Sequence, residues 1–142
     1  MDHDDVRPAF WAAFWSACRA LSTARDTMLE LHGVAAGQQA ILARLWAGDD
    51  QSPSDLAKSL DLTTSAVTRV ALKMEEAGLI ERWTTDERHV TLRLTKRGRD
   101  LEKIFDREMR RLGERVLGSF PETDRAQLVR YLRALRANAV GA

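Results

Sequence analysis

The stretch SPSDLAKSLDLTTSAVTRVALKMEEAG, residues 52–78, decides the fold. Ser52 is an N-cap residue type, Pro53 suits a first helical position because its missing N–H needs no partner there, and Asp55 sits in the first turn, where a carboxylate favours the positive end of the helix dipole. A helix therefore starts at Pro53 and carries Leu56, Ala57 and Leu60 on one face. It stops near Asp61 and Leu62, and Thr63 offers the N-cap of a second helix from Thr64 to Ala77. Val67, Val70, Ala71 and Met74 form that helix's apolar stripe, and Gly78 ends it. Two helices joined by so short a turn make a helix-turn-helix.

Beyond Gly78 the apolar period changes from helical to two, because Val90, Leu92 and Leu94 alternate with Thr91 and Arg93. This pattern predicts a half-buried strand, paired with Ile80 to Trp83 across a five-residue loop from Thr84 to Arg88. Thr95 then caps a long helix with Leu101, Ile104, Phe105, Leu112 and Val116 inward, and a break from Gly118 to Pro121 precedes a last helix whose inner face is Leu128, Leu132 and Leu135. On the N-terminal side, nothing breaks a helix from Pro8 to Leu31, and Phe10, Phe14, Ala17, Leu21, Ala24, Met28 and Leu31 keep helical spacing. Gly33 ends it, and a second helix with Ile41, Leu42, Leu45 and Trp46 runs to the break at Gly48-Asp49-Asp50. The fold class is mainly α with one small β-hairpin.

A chain of 142 residues with 44% hydrophobic residues suffices for one compact unit. Charge interrupts every apolar stretch before the roughly 20 residues of a membrane span. Asp2, Asp4 and Asp5 stand where a secretory signal would be basic, so a cytoplasmic protein without membrane partner is expected. Cys18 is the single cysteine, which excludes an intrachain disulfide and a cysteine zinc site, and His3, His32 and His89 are dispersed. No metal or other cofactor is expected. With no nucleophile motif, Gly-rich phosphate loop or His-Glu metal helix, the chain does not read as an enzyme.

The formal net charge is only +1, but it is unevenly placed. Residues 1–62 hold five Lys/Arg against nine Asp/Glu, whereas residues 63–99 hold eight against five. The basic surface coincides with the helix-turn-helix and hairpin. On the second helix of the pair, Thr64, Ser65 and Thr68 offer short polar groups, Arg69 can form two parallel hydrogen bonds to guanine or grip a phosphate, and Lys73 lies one turn beyond. The same residues also fit a solvated helix face with a capping threonine. Trp83 reads as hairpin packing or as a wedge between bases. Phe10, Trp11, Phe14 and Trp15 concentrate four aromatics in six residues, the kind of cluster that buries at an interface.

Two segments carry a family likeness. Ser54-Asp55-Leu56-Ala57 with Leu60, Ser65, Val67-Thr68-Arg69 and Glu75-Glu76-x-Gly78-Leu79-Ile80, and then Asp86-x-Arg88 followed by Leu92, Leu94-Thr95 and Gly98, resemble the helix-turn-helix and wing of the MarR family of bacterial transcription regulators. The likeness covers roughly residues 33–99. It departs at the tip between Gly78 and Asp86, which is about two residues short and lacks the common Asp-Pro pair, at Leu72, where the family often has an acid, and at Ala35, which replaces a capping threonine.

The resemblance implies a winged helix-turn-helix over residues 34–98 flanked by dimerisation helices at 1–33 and 99–142 in one chain. It implies double-stranded DNA and a second copy of the chain as partners, with Thr64, Ser65, Thr68, Arg69, Lys73, Asp86 and Arg88 at the DNA. Arg88 would enter a minor groove or pair with Asp86, which would orient it. It also implies a small-molecule effector bound near Trp15, Cys18, His32 and Trp46. The expected function is a sequence-specific homodimeric repressor on a near-palindromic operator, released by that effector. Two alternatives stand beside it: a winged-helix protein-interaction module without DNA binding, and a redox-sensing regulator acting through Cys18.

Overall fold

The computed structural model describes residues 5–86 and 89–141. Asp2, Asp4, His3 and Arg88, which entered the sequence reading, lie outside the described residues. The elements are α1 (Arg7–Leu31), α2 (Ala36–Ala47), α3 (Pro53–Leu60), α4 (Thr64–Glu76), β1 (Ile80–Asp86), β2 (His89–Leu94), α5 (Lys96–Leu117) and α6 (Glu122–Val140). The chain divides into two compact units whose boundary falls within α5, between Arg107 and Glu108.

In the first unit the sequence signals act locally as expected. The Ser52 hydroxyl accepts the Asp55 N–H at 3.1 Å, Thr63 Oγ1 accepts the Ala66 N–H at 3.1 Å, and Thr95 Oγ1 accepts the Gly98 N–H at 3.1 Å, so each satisfies a donor that the following helix leaves free. Gly33 and Gly78 take positive φ of 76° and 75° just past α1 and α4, where a side chain would be strained. α2 starts with half of a capping box: Gln38 Oε1 accepts the Ala35 N–H at 3.3 Å, and Ala35 has no oxygen to return the bond. The apolar faces of α2, α3 and α4 meet in one core, with Ile41, Leu42, Leu45, Leu56, Val67 and Met74 almost wholly removed from water.

The hairpin closes this core through Ile80, Leu92 and Leu94. β1 and β2 are antiparallel, pairing Ile80 with Leu94, Arg82 with Leu92 and Thr84 with Val90, and an irregularity follows before Asp86 pairs with His89. The strands thus run further than their alternation predicted. Thr84, Thr85 and Asp86 belong to β1 rather than to a five-residue loop, because beyond Ile80 the strand is exposed on both faces and its residues carry no apolar period to read. A backbone bridge adds a third strand position, Gln51 donating to the Leu92 carbonyl at 3.2 Å and accepting the Leu92 N–H at 2.8 Å. Gly98 lies where the start of α5 crosses the chain entering β1, and a Cβ there would collide with the Leu79 carbonyl oxygen.

α1 is long and mostly wet. Of its 25 residues only Leu29 is buried, and its four aromatics stack on one another along its surface, Phe10 with Phe14 at 5.7 Å and Trp11 with Trp15 at 6.0 Å. Trp11 and Trp15 remain 52% and 53% exposed. The second unit, residues 108–142, consists of the rest of α5 and α6, and α6 buries no residue at all. Val116, Leu132 and Leu135, which helical spacing placed inward, are exposed in the single chain, because two helical segments contain too little chain to build a core of their own.

Candidate nucleic-acid interface

α4 has two faces of opposite character. Val67, Ala71 and Met74 are buried against the core, while Ser65, Arg69, Leu72, Lys73 and Glu76 face water and Thr64 and Thr68 flank them near the helix start. The helix begins at a capped, exposed N-terminus, so the polar side chains of Thr64 and Ser65 are open to solvent.

The cations of residues 63–99 separate into two groups by what holds them. Arg82 pairs with Glu75 at 3.8 Å, and Lys96 pairs with Asp100 at 3.0 Å. Arg93 donates to the Asp50 carboxylate and lays its guanidinium over the Trp83 ring, 4.4 Å from the centroid. The bonded Asp50 carboxylate, helped by the fields of Asp49 and Glu81, holds this guanidinium above its ordinary pKa. Arg97 donates to the Ala77 carbonyl at 2.6 Å, capping the negative end of α4, and Arg99 donates to the Leu94 carbonyl at 2.9 Å. Arg69 and Lys73 alone of the described cations in this segment have no hydrogen bond or ion pair among the described residues. Their charge is available to a ligand.

Asp86 accepts the His89 N–H at 3.1 Å and faces His89 Nδ1 at 2.9 Å, tying the strand ends at the hairpin tip. Trp83 is engaged on the hairpin itself, its indole N–H donating to Glu81 at 3.2 Å under the Arg93 guanidinium. The sequence reading missed the role of residues 49–51. Asp49 accepts the Leu94 N–H at 2.9 Å, Asp50 holds Arg93 and Gln51 bridges to Leu92, so the loop after α2 anchors the hairpin.

The residues considered for an effector do not gather at one place. Trp15 and Cys18 line a shallow depression of about 380 Å³ on α1 together with Arg19, Ser22 and Thr23. His32 caps the C-terminus of α1 and does not line it. Trp46 packs on Phe105 at 5.5 Å and donates its indole N–H to the Gly98 carbonyl at 2.9 Å, which makes it a prop under the start of α5.

Comparison with known proteins bears on this arrangement. Residues 35–90 match the family model described as MarR family. A curated relative from Bacillus subtilis (strain 168), the uncharacterized HTH-type transcriptional regulator YdgJ, is 29% identical over 108 residues, covering 75% of this chain and 66% of the relative, just under two thirds of its length. Among solved structures, YusO of Bacillus subtilis superposes with a TM-score of 0.80 at 22% identity, over 96% of this chain and 98% of that one. RV1404 of Mycobacterium tuberculosis gives 0.78 at 25% identity, over 96% and 95%. The helix-turn-helix, the hairpin and the order of the flanking helices agree with these folds, and residues 35–90 of this chain resemble the MarR family.

Proposed function

We propose that the protein is a homodimeric, sequence-specific DNA-binding transcription regulator of the cytoplasm. The observation that carries this reading is the pair of uncommitted cations, Arg69 and Lys73, beside Thr64, Ser65 and Thr68 on the solvent face of α4, in a segment where the other described cations are held by carboxylates or carbonyls. In this reading α4 enters the major groove, Thr64, Ser65, Thr68 and Arg69 meet base edges, and Lys73 meets a phosphate. Arg88, two residues after Asp86 in the sequence, supplies the contact to the neighbouring minor groove or backbone, with Asp86 orienting it.

Dimerisation through residues 1–33 and 99–142 is supported by exposed apolar residues there, Trp11, Trp15 and Leu21 on α1 and Val129, Tyr131, Leu132 and Leu135 on α6. A two-fold dimer presents two recognition helices, so the operator is near-palindromic with half-sites about one helical turn, roughly 10 base pairs, apart. The regulator acts as a repressor, released when a small molecule favours a separation of the two α4 helices that no longer fits successive grooves. The depression beside Trp15 and Cys18 is where that molecule would be sought, with Trp15 fluorescence as the probe.

Selection of duplexes from a random DNA pool by the full chain tests the reading. Enrichment of a two-fold symmetric sequence is expected, with sedimentation giving a dimer at micromolar concentration. A monomer that enriches nothing would overturn it and favour a protein-interaction module.

A further inference from the structure

One residue of the exposed α4 face is out of character with its neighbours. Ser65, Thr68, Arg69 and Leu72 stand at i, i+3, i+4 and i+7 and therefore form one stripe along the helix. Val67, Ala71 and Met74 point into the core, yet the leucine of the opposite stripe is 45% exposed, one turn beyond the uncommitted Arg69 and beside the uncommitted Lys73. Nothing in the core requires an apolar side chain there. On a helix laid in a major groove, this stripe is the part that meets base edges, and a branched aliphatic group has no hydrogen bond to offer them. The one apolar group that the major-groove edges present is the C5-methyl of thymine.

Resting on the DNA-binding reading above, we propose that Leu72 is a specificity-determining residue that packs on a thymine C5-methyl in each half-site. Arg69, three residues earlier on the same stripe, then reads the base pair on the side of the helix N-terminus, while Lys73 holds the backbone and fixes how deep the leucine sits. The contact discriminates by desolvation alone. Removing one methyl from such an apolar pairing changes affinity by about fourfold, the factor that corresponds to the ~0.8 kcal/mol of a buried methylene-sized group.

The probe is the duplex that the full-length wild-type protein selects from a random pool, with each thymine in turn replaced by deoxyuridine, which deletes the methyl and leaves every hydrogen-bonding group in place. Wild type is expected to lose about fourfold in affinity at one thymine per half-site. Leu72→Ala should bind the parent duplex about as weakly as wild type binds the uracil duplex, and should ignore the replacement. Leu72→Met keeps an apolar tip and should keep the discrimination. A cytosine at that position should bind as poorly as uracil, and 5-methylcytosine should recover part of the loss. Uracil effects that are identical in wild type and Leu72→Ala, or selected half-sites without thymine in the region that α4 covers, would overturn the assignment while leaving DNA binding standing. Failure of wild type to select any duplex would overturn both.

Discussion

The outer face of α4 and the base of the hairpin carry the same kinds of cation, and the fold treats them differently. At the hairpin base Arg93, Arg97 and Arg99 are each bonded, to Asp50, to the Ala77 carbonyl and to the Leu94 carbonyl. On α4, Arg69 and Lys73 have no partner among the described residues. A count of basic residues along the sequence therefore overstates the positive surface, since most of that charge is engaged in holding the hairpin and α5 onto the core. What is left is placed on one helix face, where a polyanion can reach it.

Substitutions at the hairpin base should cost stability, and those on α4 should cost ligand affinity. The largest loss of stability is expected at Gly98, where alanine would push a Cβ into the Leu79 carbonyl oxygen. Gly98→Ala should lose about 2–3 kcal/mol in denaturant unfolding, despite alanine's better helix propensity. Arg97→Ala removes the cap on α4 and should lose about 1 kcal/mol in the same assay, with the circular dichroism of the folded state unaltered. The smallest effect belongs to the exposed Asp50–Arg93 pair: in a double-mutant cycle with Asp50→Asn and Arg93→Gln, a small favourable coupling at low salt should vanish in molar salt. A stability loss from Arg69→Ala as large as that from Arg97→Ala would erase the distinction between the two regions.

Much of this organisation was legible in local sequence. Ser52, Thr63, Thr95, Gly33 and Gly78 mark helix ends because capping and positive φ are demands that one residue meets within its own turn. The residues facing out of α4 were legible because the helical period sorts them from Val67, Ala71 and Met74. The anchoring of the hairpin was not. Asp49 to Leu94 and Asp50 to Arg93 span 45 and 43 positions, and no local pattern distinguishes those acids from loop residues in water. The outer end of β1, Thr84 to Asp86, was hidden because exposure on both faces removes the alternation that reveals a strand. Trp46 looked like a ligand-facing aromatic because its partner, the Gly98 carbonyl, lies 52 positions away.

The central claim is that nucleic acid is bound through the uncommitted cations of α4. It is tested most directly by titrating wild type, Arg69→Ala, Lys73→Ala and Arg97→Ala against the selected duplex and a scrambled one at several salt concentrations. Arg69→Ala should weaken binding to the selected duplex by about 1–3 kcal/mol and relax preference at one position per half-site. Lys73→Ala should weaken both duplexes alike and flatten the salt dependence by about one unit of slope for each phosphate the lysine no longer neutralises. Arg97→Ala should leave the slope unchanged. Wild-type affinity and slope in both α4 variants, with the fold intact, would contradict the account.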